Sequence, residues 1–349
     1  MEQFPSLSRR AFASSSVLAA ATFAWPAVQA QSHPETRKVT IAVANKAAFY
    51  SLPLSISEQL GYFKAEGLDV VISDHESGAQ ALQALTTKSA DICSAGFEHI
   101  IHLQAAQQMY QSFVQLGRAP QIAFGVSTRN LPRYKSVADL KGKKVGVAAL
   151  GSSSTLMASM VLVQGGLKAS DVSFMEVGEV DGALAALRSG QVDAMSNTDP
   201  LMTMLEQKGE VKIISDARTL KGTTDLFGGP MPANCLFAPL EFIRKNPNTC
   251  QALTNAMVRG LKWLQTAGPG DIIKTVPENY LLGDRGLYIA AFNKVRESIS
   301  LDGVLADDAP RTAYKALASF DVTIKNSRVD LVKTFTNEFA QRAKERFKA

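Results

Sequence analysis

Short apolar strand-like runs alternate with amphipathic stretches along this chain, twice over, and that alternation most restricts the fold. The first series runs VTIAVA (39–44), LPLSISEQLGYF (52–63), VVIS (70–73), GAQALQALTT (78–87), ADICSAG (90–96) and FEHIIHLQAAQQ (97–108). Leu54, Leu60 and Phe63 share a helical face with Pro53 in the first turn, and Ser77 is placed as an N-cap. YQSFVQLG (110–117) and IAFGVST (122–128) are two further strand candidates.

A second series begins with a short helix and strand in SVADLKGKKVGVAA (136–149) and a helix over about 154–165. VSFMEVG, DGALAALRSG, VDAMSN, PLMTMLEQKG and VKIISDA continue the alternation, and NCLFAP (234–239) is its last strand. Beyond Glu241 the pattern is helical, interrupted by GPGD, GDRG and ADDAP. Alternating β and α elements with crossover connections predict mostly parallel sheets, hence an α/β protein with two lobes. The tail has no room for a third sheet, so its helices are expected to cover one lobe.

The N-terminus reads as an export signal. SRRAF (8–12) is a basic start, VLAAATFAW an apolar centre, and AVQA (27–30) a small-residue end. The paired arginines suggest twin-arginine export, with cleavage expected after Ala30 and the periplasm as destination. Loss of residues 1–30 removes Arg9, Arg10 and Glu2, leaving 35 basic and 31 acidic residues. The basic residues are scattered, which argues against a nucleic-acid partner. Mean hydropathy is +0.00, a soluble composition. The three cysteines, Cys93, Cys235 and Cys250, form no metal or redox motif and fit buried small hydrophobes, with a Cys235–Cys250 bridge as the less favoured alternative.

The segment VAALGSSST (147–155) invites catalytic readings. A phosphate loop needs lysine where Ser152 stands. A G-x-S-x-G elbow fails because Thr155 replaces the last glycine, and all four histidines lie upstream. A helix N-terminus dressed with hydroxyls remains, which can take an anionic group or serve simply as a cap. His99 and His102 share a helix face without a visible third ligand, and neither metal nor cofactor is expected.

The motifs in order carry a family resemblance. AFYSLPLSISEQLGYFKAEGLDV (48–70), then Ser77-Gly78-x-x-Ala81-Leu82 and Ser89-Ala90-Asp91-Ile92, resemble the opening of ABC-importer solute-binding proteins of the nitrate, sulfonate and taurine branch. DLKGKKVGV with its Gly/Ser-rich loop, and GALAALRSGQVDAMSNTDP (182–200), are similar to that branch's second lobe. The resemblance implies two Rossmann-like lobes of the periplasmic-binding-protein-like II type, joined by two hinge strands. Residues 36–120 and the helices of 240–349 would form the first lobe, and 121–239 the second. It implies a non-enzymatic, monomeric protein that delivers a ligand to an inner-membrane ABC permease.

Ligand contacts are expected at the C-terminal ends of strands. On the first lobe these are Lys46, Phe49, Tyr50, Ser51, Ser77, Gly78, Gly96, Phe97 and Glu98. On the second they are Gly151, Ser152, Ser153, Ser154, Thr155, Asn197, Thr198 and Asp199, with Met231 and Asn234 closing one side. The ligand is expected to be a small organic acid: a sulfonate, a taurine-like compound or an aromatic carboxylate. Glu98 qualifies that expectation. If it faces the cleft it favours a ligand with a donor, or an acid bound through protonation. The alternatives are a binding protein for a thiamine pyrimidine precursor, or an enzyme of the pyrimidine-synthase branch, whose cysteine-rich motif is missing here.

Overall fold

The computed structural model describes Met1, Glu2 and residues 33–349, and the expected export signal lies outside the described residues. Residues 33–349 form one compact unit built on two five-stranded sheets. The first has the order β2-β1-β3-β10-β4, from β1 (Lys38–Ala44), β2 (Asp69–His75), β3 (Ile92–Gly96), β4 (Tyr110–Gln115) and β10 (Asn234–Pro239). The second has the order β7-β6-β8-β5-β9, from β5 (Ile122–Ser127), β6 (Lys144–Val147), β7 (Ser173–Glu176), β8 (Ala194–Thr198) and β9 (Val211–Asp216).

The parallel strands are those of the β-α-β alternation: β1 pairs in parallel with β2 and β3, and β6 with β7 and β8. Each sheet also takes one antiparallel strand, β10 in the first and β5 in the second. Both are the first strand after a crossing from the other sheet. The crossings are 116–121 and 217–233. Ala233 N donates to Gly117 O at 3.0 Å, and Gln121 N to Ala217 O at 3.0 Å, so the two segments are bonded at either end.

This topology moves one boundary. NCLFAP was expected to close the second lobe at 239, but as β10 it belongs to the first sheet. A buried apolar run states that it is a strand, not which sheet receives it; the pairing of Asn234 opposite Gly96 decides that.

The tail helices pack mainly on the first sheet. Leu253, Ala256 and Met257 of the helix Pro247–Thr266 are fully buried in a core with Val39, Ile41 and Val43. Burial of the Leu253 side chain contributes about 1.5–3 kcal/mol. Gly260 allows this helix to lie against Leu52–Gln59, since a Cβ there would strike the Ser57 hydroxyl and sit 3.0 Å from Pro53 O. The tail also reaches the second lobe, which sequence patterning did not foresee. Lys294 Nζ lies 2.6 Å from Glu206 Oε2, and Glu297 accepts from Leu220 N at 3.0 Å.

All three cysteines are buried and unpaired, on β3, β10 and the Pro247–Thr266 helix. Burial pushes the Cys235 and Cys250 thiols up to about 12, so they are inert hydrophobes at neutral pH.

Candidate functional site

The strand ends of the two sheets face one another across a cleft that leaves room for about 60 Å³ of solvent. From the first lobe it is lined by Ala44 and Tyr50 beyond β1, Ser77 and Gly78 beyond β2, and Ala95, Gly96 and Glu98 at the end of β3. From the second come Ala148, Ser152, Ser153, Ser154 and Leu156 beyond β6, Glu179 beyond β7, Thr198 at the end of β8, and Phe227. The crossings supply Pro120 and residues 231–233, and the strands they lead into supply Ile122 and Asn234.

Each lobe sends one glutamate across. Glu98 is buried, 4% exposed, and its carboxylate accepts from the Ser153 hydroxyl on the opposite lobe. It opens the helix Glu98–Ala105 and folds back over Gly96, where any Cβ would collide with its carboxylate oxygens. Glu179 points the other way. Its Oε1 accepts from Tyr50 Oη at 2.7 Å, and Oε2 accepts from Asn45 Nδ2. Burial, only partly offset by hydrogen bonds from Tyr50, Asn45 and Thr198 and reinforced by the Asp74 charge, raises Glu179 to about 7. Burial likewise keeps the Tyr50 phenol protonated, as a donor.

No lysine, arginine or histidine lines this cleft among the described residues. His99 lies beside Glu98 but is buried, and its pKa is lowered by desolvation, so it stays neutral at pH 7. Its ring packs over Gly78, where a Cβ would come within 2.7 Å of Nε2. Asn234 adds an acceptor. Its Nδ2 donates to Tyr50 O at 2.9 Å and Ser94 Oγ at 3.3 Å, which orients the amide, and its buried Oδ1 has no partner.

The hydroxyl loop is now specific. Ser154 Oγ accepts from Ala148 N at 2.9 Å; Ser152 Oγ and Thr155 Oγ1 both donate to Ala149 O, at 2.7 and 2.9 Å. Three of the four hydroxyls therefore fold the loop, and Ser153 alone reaches across the cleft.

Of the expected contacts, Tyr50, Ser77, Gly78, Gly96, Glu98, Ser152, Ser153, Ser154 and Thr198 line the cleft, as do Met231 and Asn234. The others do not, each for a stated reason. Lys46 is ion-paired with Glu58 at 2.5 Å. Phe49 stacks on Tyr288 at 4.7 Å inside the helical core. Ser51 Oγ donates to Ala44 O, and Phe97 is fully buried. Gly151 is exposed and adopts φ +75°, which only glycine takes without strain. Thr155 is spent on Ala149 O. Asn197 Nδ2 donates to Gly178 O at 3.0 Å, and its Oδ1 accepts from Thr198 N. Asp199 is buried against Arg218, Nη1 to Oδ1 3.4 Å, in a network with Asp216 and Glu206.

Sequence reasoning missed Glu179. The segment after β7 was not among the strand ends singled out; GEV carries no motif, and the residue matters only because Tyr50 and Asn45 face it. His102 Nδ1 lies 3.9 Å from Asp321, and among the described residues no group of three or more His, Cys, Asp or Glu side chains is placed to hold a metal. Nor is any described helix long and apolar enough to cross a membrane.

Comparison with known proteins agrees with this architecture. The NMT1/THI5-like family model matches residues 48–267. A solved protein of Bordetella bronchiseptica RB50 is 53% identical, with a TM-score of 0.87, over 91% of this chain and 100% of its own. The alkanesulfonate-binding protein SsuA of Xanthomonas axonopodis pv. citri shares the fold at 18% identity and a TM-score of 0.67, over 87% of this chain and 99% of its own. The riboflavin-binding protein RibY of Chloroflexus aurantiacus is 26% identical over 245 residues, 70% of this chain and 66% of RibY. The chain belongs to the NMT1/THI5-like family and carries the periplasmic-binding-protein type II fold of the substrate-binding components of ABC import systems.

Proposed function

We propose that this chain is the exported binding component of an ABC importer, and that its ligand is a small, flat nitrogen heterocycle bearing N–H donors, of the aminopyrimidine or flavin-ring kind. The observation that carries this reading is the polarity of the cleft. Glu98 and the unpartnered Asn234 Oδ1 both accept, and among the described residues no cationic side chain lining the cleft balances them. A carboxylate or sulfonate placed there meets like charge at short range, which raises its cost in a partly buried site. Ile122, Leu156, Phe227 and Met231 supply apolar walls suited to a ring. The name of RibY points the same way.

The role is binding rather than turnover. The two lobes meet through Glu98–Ser153 and Glu179–Tyr50, so a ligand touching both stabilises the closed form, which an inner-membrane permease partner would recognise. The small-organic-acid reading retains the N-termini of the Ser153–Gln164 and Gly78–Thr86 helices, together with the sulfonate ligand in the name of SsuA.

The test is thermal unfolding of residues 31–349 against aminopyrimidines, riboflavin, alkanesulfonates, taurine and aromatic acids. A ligand at 100 times its Kd adds about 2.7 kcal/mol of stability. A shift with the heterocycles is expected; shifts confined to the acids would return the function to organic-acid capture.

A further inference from the structure

We infer that Glu98 sets the charge class of the ligand, by occupying from the first lobe the anion position of the second lobe's Ser153–Gln164 helix. The inference deepens the heterocycle reading above and rests on it for the identity of the preferred ligand.

The helix is twelve residues long and has no acidic residue in its own first turn. Its leading N–H groups have no intrahelical acceptors and carry the positive end of the helix dipole. The carboxylate that approaches that end is Glu98, reached through the Ser153 hydroxyl. Its position is built into the first lobe. Gly96 removes the Cβ that would collide with the carboxylate. β10 sets Asn234 directly opposite Gly96, so the buried, unpartnered Oδ1 of Asn234 stands on the same strand ends as Glu98. A ligand entering between them meets two acceptors, and this helix terminus already faces a carboxylate, whereas that of Gly78–Thr86 on the first lobe, whose Ser77 and Gly78 also line the cleft, has no acidic residue in its first turn. A ligand N–H can take over the carboxylate from Ser153; a ligand anion at the Ser153–Gln164 terminus must displace the carboxylate itself.

Replacing Glu98 should therefore invert the preference. Titration calorimetry with 4-aminopyrimidine, benzoate and ethanesulfonate would compare wild type with Glu98→Gln and Glu98→Ser, each checked for fold by circular dichroism. The smaller serine carries the comparison if glutamine disturbs packing. In the variants, 4-aminopyrimidine should weaken roughly tenfold or more, as expected for a lost charge-assisted hydrogen bond. Benzoate or ethanesulfonate should tighten at least tenfold over wild type. Folded variants with no gain for either anion would overturn the inference, as would a wild type that binds the anions as tightly as the variants do. The two readings fail separately. A gain of anion binding in the variants, with no 4-aminopyrimidine binding by wild type, removes the heterocycle and leaves the role of Glu98. Wild-type binding of 4-aminopyrimidine without the gain does the reverse.

Discussion

Glu98 and Glu179 are near mirror images in the fold: each stands just past a strand end of its own sheet and reaches across the cleft to the other lobe. Their surroundings differ. Both oxygens of Glu179 are held by the first lobe, by Tyr50 and Asn45, and burial lifts it to about 7. Glu98 accepts from one rotatable hydroxyl, Ser153, and shares its strand ends with an unpartnered amide oxygen. The contrast teaches that crossing the cleft is not one job. A carboxylate whose acceptor sites are filled by protein fastens the lobes together, and one held by a single hydroxyl is left to discriminate ligands.

The sharpest control lies outside both. Asp199 was an expected ligand contact, yet it pairs with the fully buried Arg218. Asp199→Ala should cost about 3 kcal/mol, the low end for breaking a buried ion pair, because Asp216 and Glu206 still hold the guanidinium. Denaturant unfolding checks the loss, and the ligand preference of the folded fraction should be unchanged. A selective loss of binding with full stability would return Asp199 to the cleft.

Next in size is the pH dependence of Glu179. Its pKa in the closed protein, about 7, exceeds the ordinary 4.5. The closed form therefore binds this proton more tightly than an open or unfolded one. The resulting stabilisation is complete below pH 4.5 and is lost as pH rises through 7. Affinity for a non-titrating ligand should fall several-fold, roughly three- to tenfold after allowance for partial solvent screening, between pH 5.5 and 8. Glu179→Gln should flatten that profile. A wild-type profile as flat as the variant's would separate this proton from lobe closure.

The smallest effects separate neighbouring serines. Ser154→Ala leaves the buried Ala148 N–H without its acceptor and should lower stability by about 1–2 kcal/mol. Ser153→Ala should leave unfolding within about 0.5 kcal/mol and change ligand affinity only a few-fold, since it merely frees the Glu98 carboxylate. Equal stability losses in both would mean that Ser153, too, is part of the loop fold.

Much was legible from local pattern. The alternation of short apolar runs with amphipathic stretches pointed to the strands, the helices and the two α/β units, because run length and helical periodicity are properties of backbone geometry. The order of motifs pointed to the family, and the strand-end rule located Tyr50, Ser77, Gly96, Glu98 and the 152–154 loop on the cleft wall. Local pattern went astray wherever a side chain's partner was remote. Lys46 looked available until Glu58 took it, and Phe49 looked like a cleft wall until Tyr288 and Phe292 enclosed it.

What the sequence by itself determined was the set of elements, and the stretch VAALGSSST as a strand leading into a helix N-terminus without catalytic chemistry. Tertiary structure alone decided that β10 returns to the first sheet, that three of the four hydroxyls are consumed by the loop, and that the fourth faces a glutamate 55 residues away. The physical reason is range. Propensity and periodicity act within a turn or a strand, whereas the polarity of a cleft is the sum of groups brought together only when two lobes close.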